Sequence, residues 1–142
     1  MYTGLFHTHS LLRYFILIAL VVVIIKAVMG LMNKQPYGKW DNKLGLYLFI
    51  FTHMQLLIGL ILYFVSPFVK FGSETMSNKT TRYWTVEHIT TMLIAIVLIT
   101  LARTTSKRMT DDSAKHKRIL IFNSLALIII IATVLMSGRG LL

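Results

Sequence analysis

Three histidines, an arginine and a glutamate stand where such residues are rare. His9, Arg13, His53, Glu87 and His88 lie inside or at the lip of long apolar runs. A charge near the middle of a bilayer costs ~2.5–3.5 kcal/mol on insertion scales, so such side chains face a partner, a wet cavity or a cofactor. Paired imidazoles in apolar surroundings suit one chemistry in particular. Two of them can hold a haem b iron from opposite faces.

That chemistry sets a geometric condition. Both imidazoles must come from different helices and lie at one depth. A helix rises ~1.5 Å per residue, which puts His9 ~6 Å and His88 ~7 Å inside their runs from the same side. His9 and His88 are therefore the expected haem-iron ligands, on helices one and three, which are diagonal in a four-helix ring. His53 is ~13 Å in from the other side, near the middle of helix two. Pairing His53 with His9 or His88 is the alternative single site. Arg13 follows His9 by four residues and shares its helix face. It is expected to bind a haem propionate or to pair with Glu87. Thr52, Gln55 and Thr91 are expected donors around the ligands, because ligating histidines usually bond a partner through the other ring nitrogen.

Plainer readings stand beside these. Membrane histidines also hydrogen-bond to neighbouring helices, and Arg13–Glu87 is equally a structural ion bridge. His7 is two residues from His9 and points away from it. His116 precedes its apolar run by three residues and is expected in a solvated basic loop. A second haem between His53 and His116 would need helix four to sit deeper than its charges suggest, so one haem is expected rather than two. The spacing of the histidines disfavours a zinc or copper site.

The elements that must position these residues are the apolar runs themselves, at residues 5–25, 44–65, 83–101 and 119–136. Each is near the ~20 residues needed to cross a hydrocarbon core. Backbone in lipid must satisfy itself, which leaves helices and closed barrels, and the runs are too long for barrel strands. The expectation is an all-α membrane protein, an up-down bundle of four transmembrane helices forming a single domain over residues 1–142. Helix one starts near Thr3 or Gly4. Proline and glycine in Asn33-Lys34-Gln35-Pro36-Tyr37-Gly38 mark a turn. Helix two covers about 43–66 and ends before Pro67. Tyr83 and Trp84 re-enter the membrane, and helix three reaches about Arg103. Asp111 or Asp112 caps helix four, which Gly138-Arg139-Gly140 ends.

A hydrophobic fraction of 56% with 14% charged residues excludes an ordinary soluble domain. The absence of cysteine excludes disulfides, thiolate metal sites and cysteine nucleophiles. The net charge of +10 invites a nucleic-acid reading, but its distribution follows the membrane instead. Lys26, Lys34, Lys39, Lys43, Arg103, Lys107, Arg108, Lys115, Lys117 and Arg118 fall on one side (B). Lys70, Lys79, Arg82 and Arg139 fall on the side of the N-terminus (A). The excess marks side B as cytoplasmic and places both termini outside. Residues 5–25 lack the basic flank and cleavage site of a signal peptide.

Three segments carry a resemblance. His7-Thr8-His9-Ser10-Leu11-Leu12-Arg13-Tyr14, then Thr52-His53-Met54-Gln55-Leu56-Leu57 with Gly59, then Tyr83-Trp84-Thr85-Val86-Glu87-His88 resemble small bacterial four-helix membrane proteins labelled cytochrome b. The likeness covers most of the chain. The order His9, His53, His88, His116, one per helix, is also similar to the core of ascorbate-type transmembrane cytochromes b. In that family helices one with three, and two with four, each hold a haem. The chain departs from it at His116, outside the apolar run, and shows no ascorbate site. The resemblance implies transmembrane electron transfer without specifying a substrate.

The leading expectation is a haem b electron-transfer protein of the bacterial inner membrane, a cytochrome b-type oxidoreductase component coupled to a quinol. The alternative is a haem-free structural or accessory subunit of a larger membrane protein complex. A small transporter or proton conductor ranks last, because no broken or Gly/Pro-interrupted helix pair is visible. No hydrolase motif occurs.

Overall fold

A computed structural model describes residues 2–65 and 87–136. These form four helices: α1 Tyr2–Met32, α2 Lys39–Val65, α3 His88–Lys107 and α4 Asp112–Met136. Each contains a segment long and apolar enough to cross a membrane. Among the described residues there is no strand. The expectations about Pro67, the segment 68–81, Tyr83, Trp84 and Gly138-Arg139-Gly140 lie outside the described residues.

Buried positions recur at the three- and four-residue steps of one helix face. On α1 they are Ile16, Leu20, Val23 and Ala27. On α3 they are Ala95, Ile99, Ala102 and Ser106, and on α4 Ile119, Asn123, Ala126, Ile130 and Thr133. Small residues on facing stripes let helices approach, which is how helices associate where water gives no apolar drive. α3 packs most closely on α4, α1 packs on both α2 and α4, and α2 meets α3 least. The helices thus form a ring in chain order, with α1 diagonal to α3. The outer surface is apolar: Ile18, Leu57 and Ile128 are 62%, 63% and 63% exposed. Hydroxyls inside the helices bond back to their own backbone, as Thr100 does to Ile96 at 2.8 Å and Thr133 to Ile129 at 2.7 Å.

The α1–α2 turn falls where proline and glycine mark it. The Gln35 N–H reaches the Gly30 carbonyl at 2.9 Å, and Lys34 takes φ 51°. This is the left-handed residue that closes many helix C-termini. α2 then starts at Lys39, earlier than expected, because the Asp41 carboxylate accepts the Gly38 N–H at 2.9 Å. Lys26 pairs with the same carboxylate at 3.4 Å. Asp111, not Asp112, caps α4, accepting the Ala114 N–H at 3.3 Å.

The start of α4 corrects one expectation. His116 is not in a solvated loop. It sits inside α4, is 1% exposed, and donates or accepts through Nε2 at 3.1 Å from the Gln35 carbonyl. A carbonyl only accepts, so Nε2 is the donor. Lys115 lies over the Tyr37 ring, 5.3 Å from its centre, and Tyr37 lies 5.5 Å from the His116 ring. Burial pushes the Tyr37 phenol pKa upward against the pull of Arg103. The imidazole lies flat on Gly30, where an added Cβ would come within 2.5 Å of its Cε1. Gly30→Ala is expected to lose about 1–3 kcal/mol of stability. Gly30→Ala with His116→Ala should recover part of that loss, as read by thermal unfolding in detergent. Equal stability of Gly30→Ala and the parent would refute this contact.

Candidate functional site

Two cross-bundle ties define levels along the helices. Arg103 Nη1 of α3 donates to the Asn42 carbonyl of α2 at 3.2 Å, near side B. Gln55 Nε2 of α2 donates to the His9 carbonyl of α1 at 2.8 Å. Thirteen residues separate Asn42 from Gln55, about 20 Å, and fifteen separate Arg103 from His88, about 22 Å. His9, Gln55 and His88 therefore share one level.

Rotation about the helix axes brings the rings inward. His88 precedes Ala95 by seven residues, two turns, and lies on the same inward stripe. The His9 and His88 rings stand 6.4 Å apart between centres, with planes at 83°. They meet across the diagonal of the ring. The His9 Cε1 lies 3.6 Å from where a Cβ on Gly59 would stand, so α2 leaves room beside the imidazole.

Arg13 lies one turn along α1 from His9. One terminal nitrogen donates to the Tyr14 hydroxyl at 2.9 Å, and the guanidinium sits 4.7 Å from the centre of that ring. Among the described residues its Nε is buried without a hydrogen-bond partner. So are Nδ1 of His9 and Oε1 of Gln55. Each unsatisfied buried polar atom costs about 1–3 kcal/mol. Three of them within a turn or so of one another make a polar cluster whose partners would come from outside the described residues.

The other expected residues fall elsewhere. His53 follows from a helix face turned away from this pocket. Two residues from Gln55 and six from Gly59 put it roughly 160° and 120° from them around α2. This disfavours pairing His53 with His9. His7 is exposed. Thr52 and Thr91 do not act as donors to the pocket, since Thr52 bonds the Phe49 carbonyl at 2.9 Å and Thr91 the Glu87 carbonyl at 2.7 Å. Gln55 is in place, but its N–H serves the His9 backbone rather than the ring. Gly59 went unremarked as a pocket wall; the signal was its four-residue spacing from Gln55. Asn123, 3% exposed and with its Oδ1 unpartnered, was not foreseen either. Among the described residues no three His, Asp or Glu side chains converge on a common metal position. The arrangement instead offers two imidazoles, one guanidinium and one amide oxygen in an apolar wall.

Gly59→Ala is expected to leave stability within about 1 kcal/mol of the parent or to raise it, because alanine suits helices and meets His9 at ordinary contact. Gly59→Leu should cost about 1–3 kcal/mol by overfilling the pocket. Thermal unfolding of both variants checks the difference, and equal stabilities would mean that Gly59 does not border a confined space beside His9. Comparison with family models, curated proteins and solved structures finds no match to this chain.

Proposed function

We propose that the chain is a haem b-binding electron-transfer protein, an up-down bundle of four transmembrane helices in the bacterial inner membrane. The observation that carries this reading is the His9–His88 pair at 6.4 Å across the bundle. Two imidazoles that held one metal ion through bonds of about 2 Å would stand about 6 Å apart between ring centres. The spacing fits one iron between them. The unpartnered atoms of His9 and Arg13 fit as well, because a haem brings an iron and two carboxylates that accept from the guanidinium.

His9 and His88 hold the iron in this reading, and Arg13 meets a propionate through its free Nε. Gln55 fixes the His9 backbone and so the height of the ligand. The apolar walls keep water from the centre and help set its potential. When bound, haem supplies a one-electron ferric–ferrous couple. One haem is bound per chain, since His116 is held by Gln35 and Gly30 at the opposite end of the bundle. Electrons come from a quinol within the membrane. The apolar outer surface supports insertion in lipid, and the cationic excess on side B supports a cytoplasmic location for the 33–38 turn, with both termini outside.

The test is optical. Protein made in haem-replete cells and purified in mild detergent should show a b-type band on dithionite reduction, at one haem per chain. His9→Ala or His88→Ala should abolish it, and His53→Ala should leave it. A colourless parent protein, or a band that survives both ligand substitutions, would overturn the proposal.

A further inference from the structure

His53 is the membrane-level polar group that the pocket leaves out. Its Nδ1 lies 2.8 Å from the Phe49 carbonyl oxygen. That oxygen only accepts, so the proton is on Nδ1 and the lone pair is on Nε2. Among the described residues nothing donates to Nε2. The ring is half-buried, and Nε2 is not sealed inside the bundle. An intramembrane acceptor with an open lone pair needs a donor that the described bundle does not provide.

Its place in the fold narrows the donor. His53 follows Asn42 by eleven residues, three turns to within ~20°, so it lies on the α2 face that meets α3, about 16 Å above the Arg103 tie. This is the least closely packed seam between neighbours in the ring. Counted along α2 from Gln55 or along α3 from His88 through Met92, the His53 level is about 3–6 Å from that of the pocket.

Headgroups stay outside the hydrocarbon, and His53 is ~13 Å inside its run. A donor from outside the described residues that reaches this depth can be one that dissolves in the membrane itself. The flank also has a shape. The His53 and Phe49 rings stack at 4.2 Å with planes 32° apart, a surface for a flat ring. Leu57, Leu60 and Phe64 beyond them are 63%, 37% and 76% exposed, a surface for an alkyl tail. The exposed α2 residues around His53, Met54, Leu57 and Leu60, carry no donor of their own.

We infer that this flank binds a membrane-soluble hydroquinone, whose ring hydroxyl donates to His53 Nε2 while the ring packs on Phe49 and His53. The site gives a position to the quinol of the preceding proposal, and hydroquinone binding there does not itself require haem.

Full-length protein in mild detergent, kept anaerobic, is dialysed to equilibrium against decylubiquinol and, separately, against the same compound with both hydroxyls methylated. Decylubiquinol should bind saturably, and the methylated compound at least about tenfold more weakly, the scale of one lost buried hydrogen bond. His53→Leu should weaken decylubiquinol binding by a similar factor, and His53→Gln, which keeps an acceptor, by less. His9→Ala should leave binding unchanged while removing any haem band, so failure of the haem reading and failure of this one are distinguishable. Equal binding of the two compounds, absence of saturable binding, or a folded His53→Leu that binds like the parent would each overturn the inference. If His53→Leu does not fold, the comparison of the two compounds on the parent protein decides.

Discussion

The close approach of α3 to α4 is the contact on which the rest of the bundle depends. Ala95, Ala102 and Ser106 on one helix, and Ala126 on the other, are small enough to let the backbones come together. In lipid there is little other reason for helices to associate, since the solvent is as apolar as the side chains. Once α3 leans on α4, two consequences follow. The inward stripe of α3 carries His88 towards α1. The opposite flank of α3 is left with few contacts to α2.

These consequences separate the polar groups into three environments. At one end the His9 and His88 rings meet, and among the described residues His9, Arg13 and Gln55 each keep a polar atom without a hydrogen-bond partner. At the other end, Lys26, Asp41, Tyr37 and His116 close on each other and on the turn. That second cluster spends its polar groups on holding α1, α2 and α4 in register, with Gly30 making space for an imidazole. The first cluster does not, which is why it reads as a site and the second as a fastening. His53 belongs to neither, its Nδ1 held by the Phe49 carbonyl of its own helix.

The histidines show why residue type alone is a poor guide to role. All carry the same ring, yet their surroundings differ in what they leave unsatisfied. His116 is the most enclosed, and its Nε2 is committed to a backbone carbonyl. His53 is committed through Nδ1, which frees the other nitrogen. His9 keeps a buried nitrogen with no partner. Free valence, rather than burial, is what distinguishes a site from packing.

Much of the frame was legible in the chain itself. Run length and hydropathy mark four helices, the proline and glycine of residues 33–38 mark the first turn, and residue counting puts His9 and His88 at one depth. These are properties of distance along a helix, which a fixed rise per residue makes readable. Which neighbour each face meets depends on rotation and on packing between helices far apart in sequence. Only the tertiary structure could bring Gln55 to the His9 carbonyl, set the His9 and His88 rings against each other and seat His116 against Gly30.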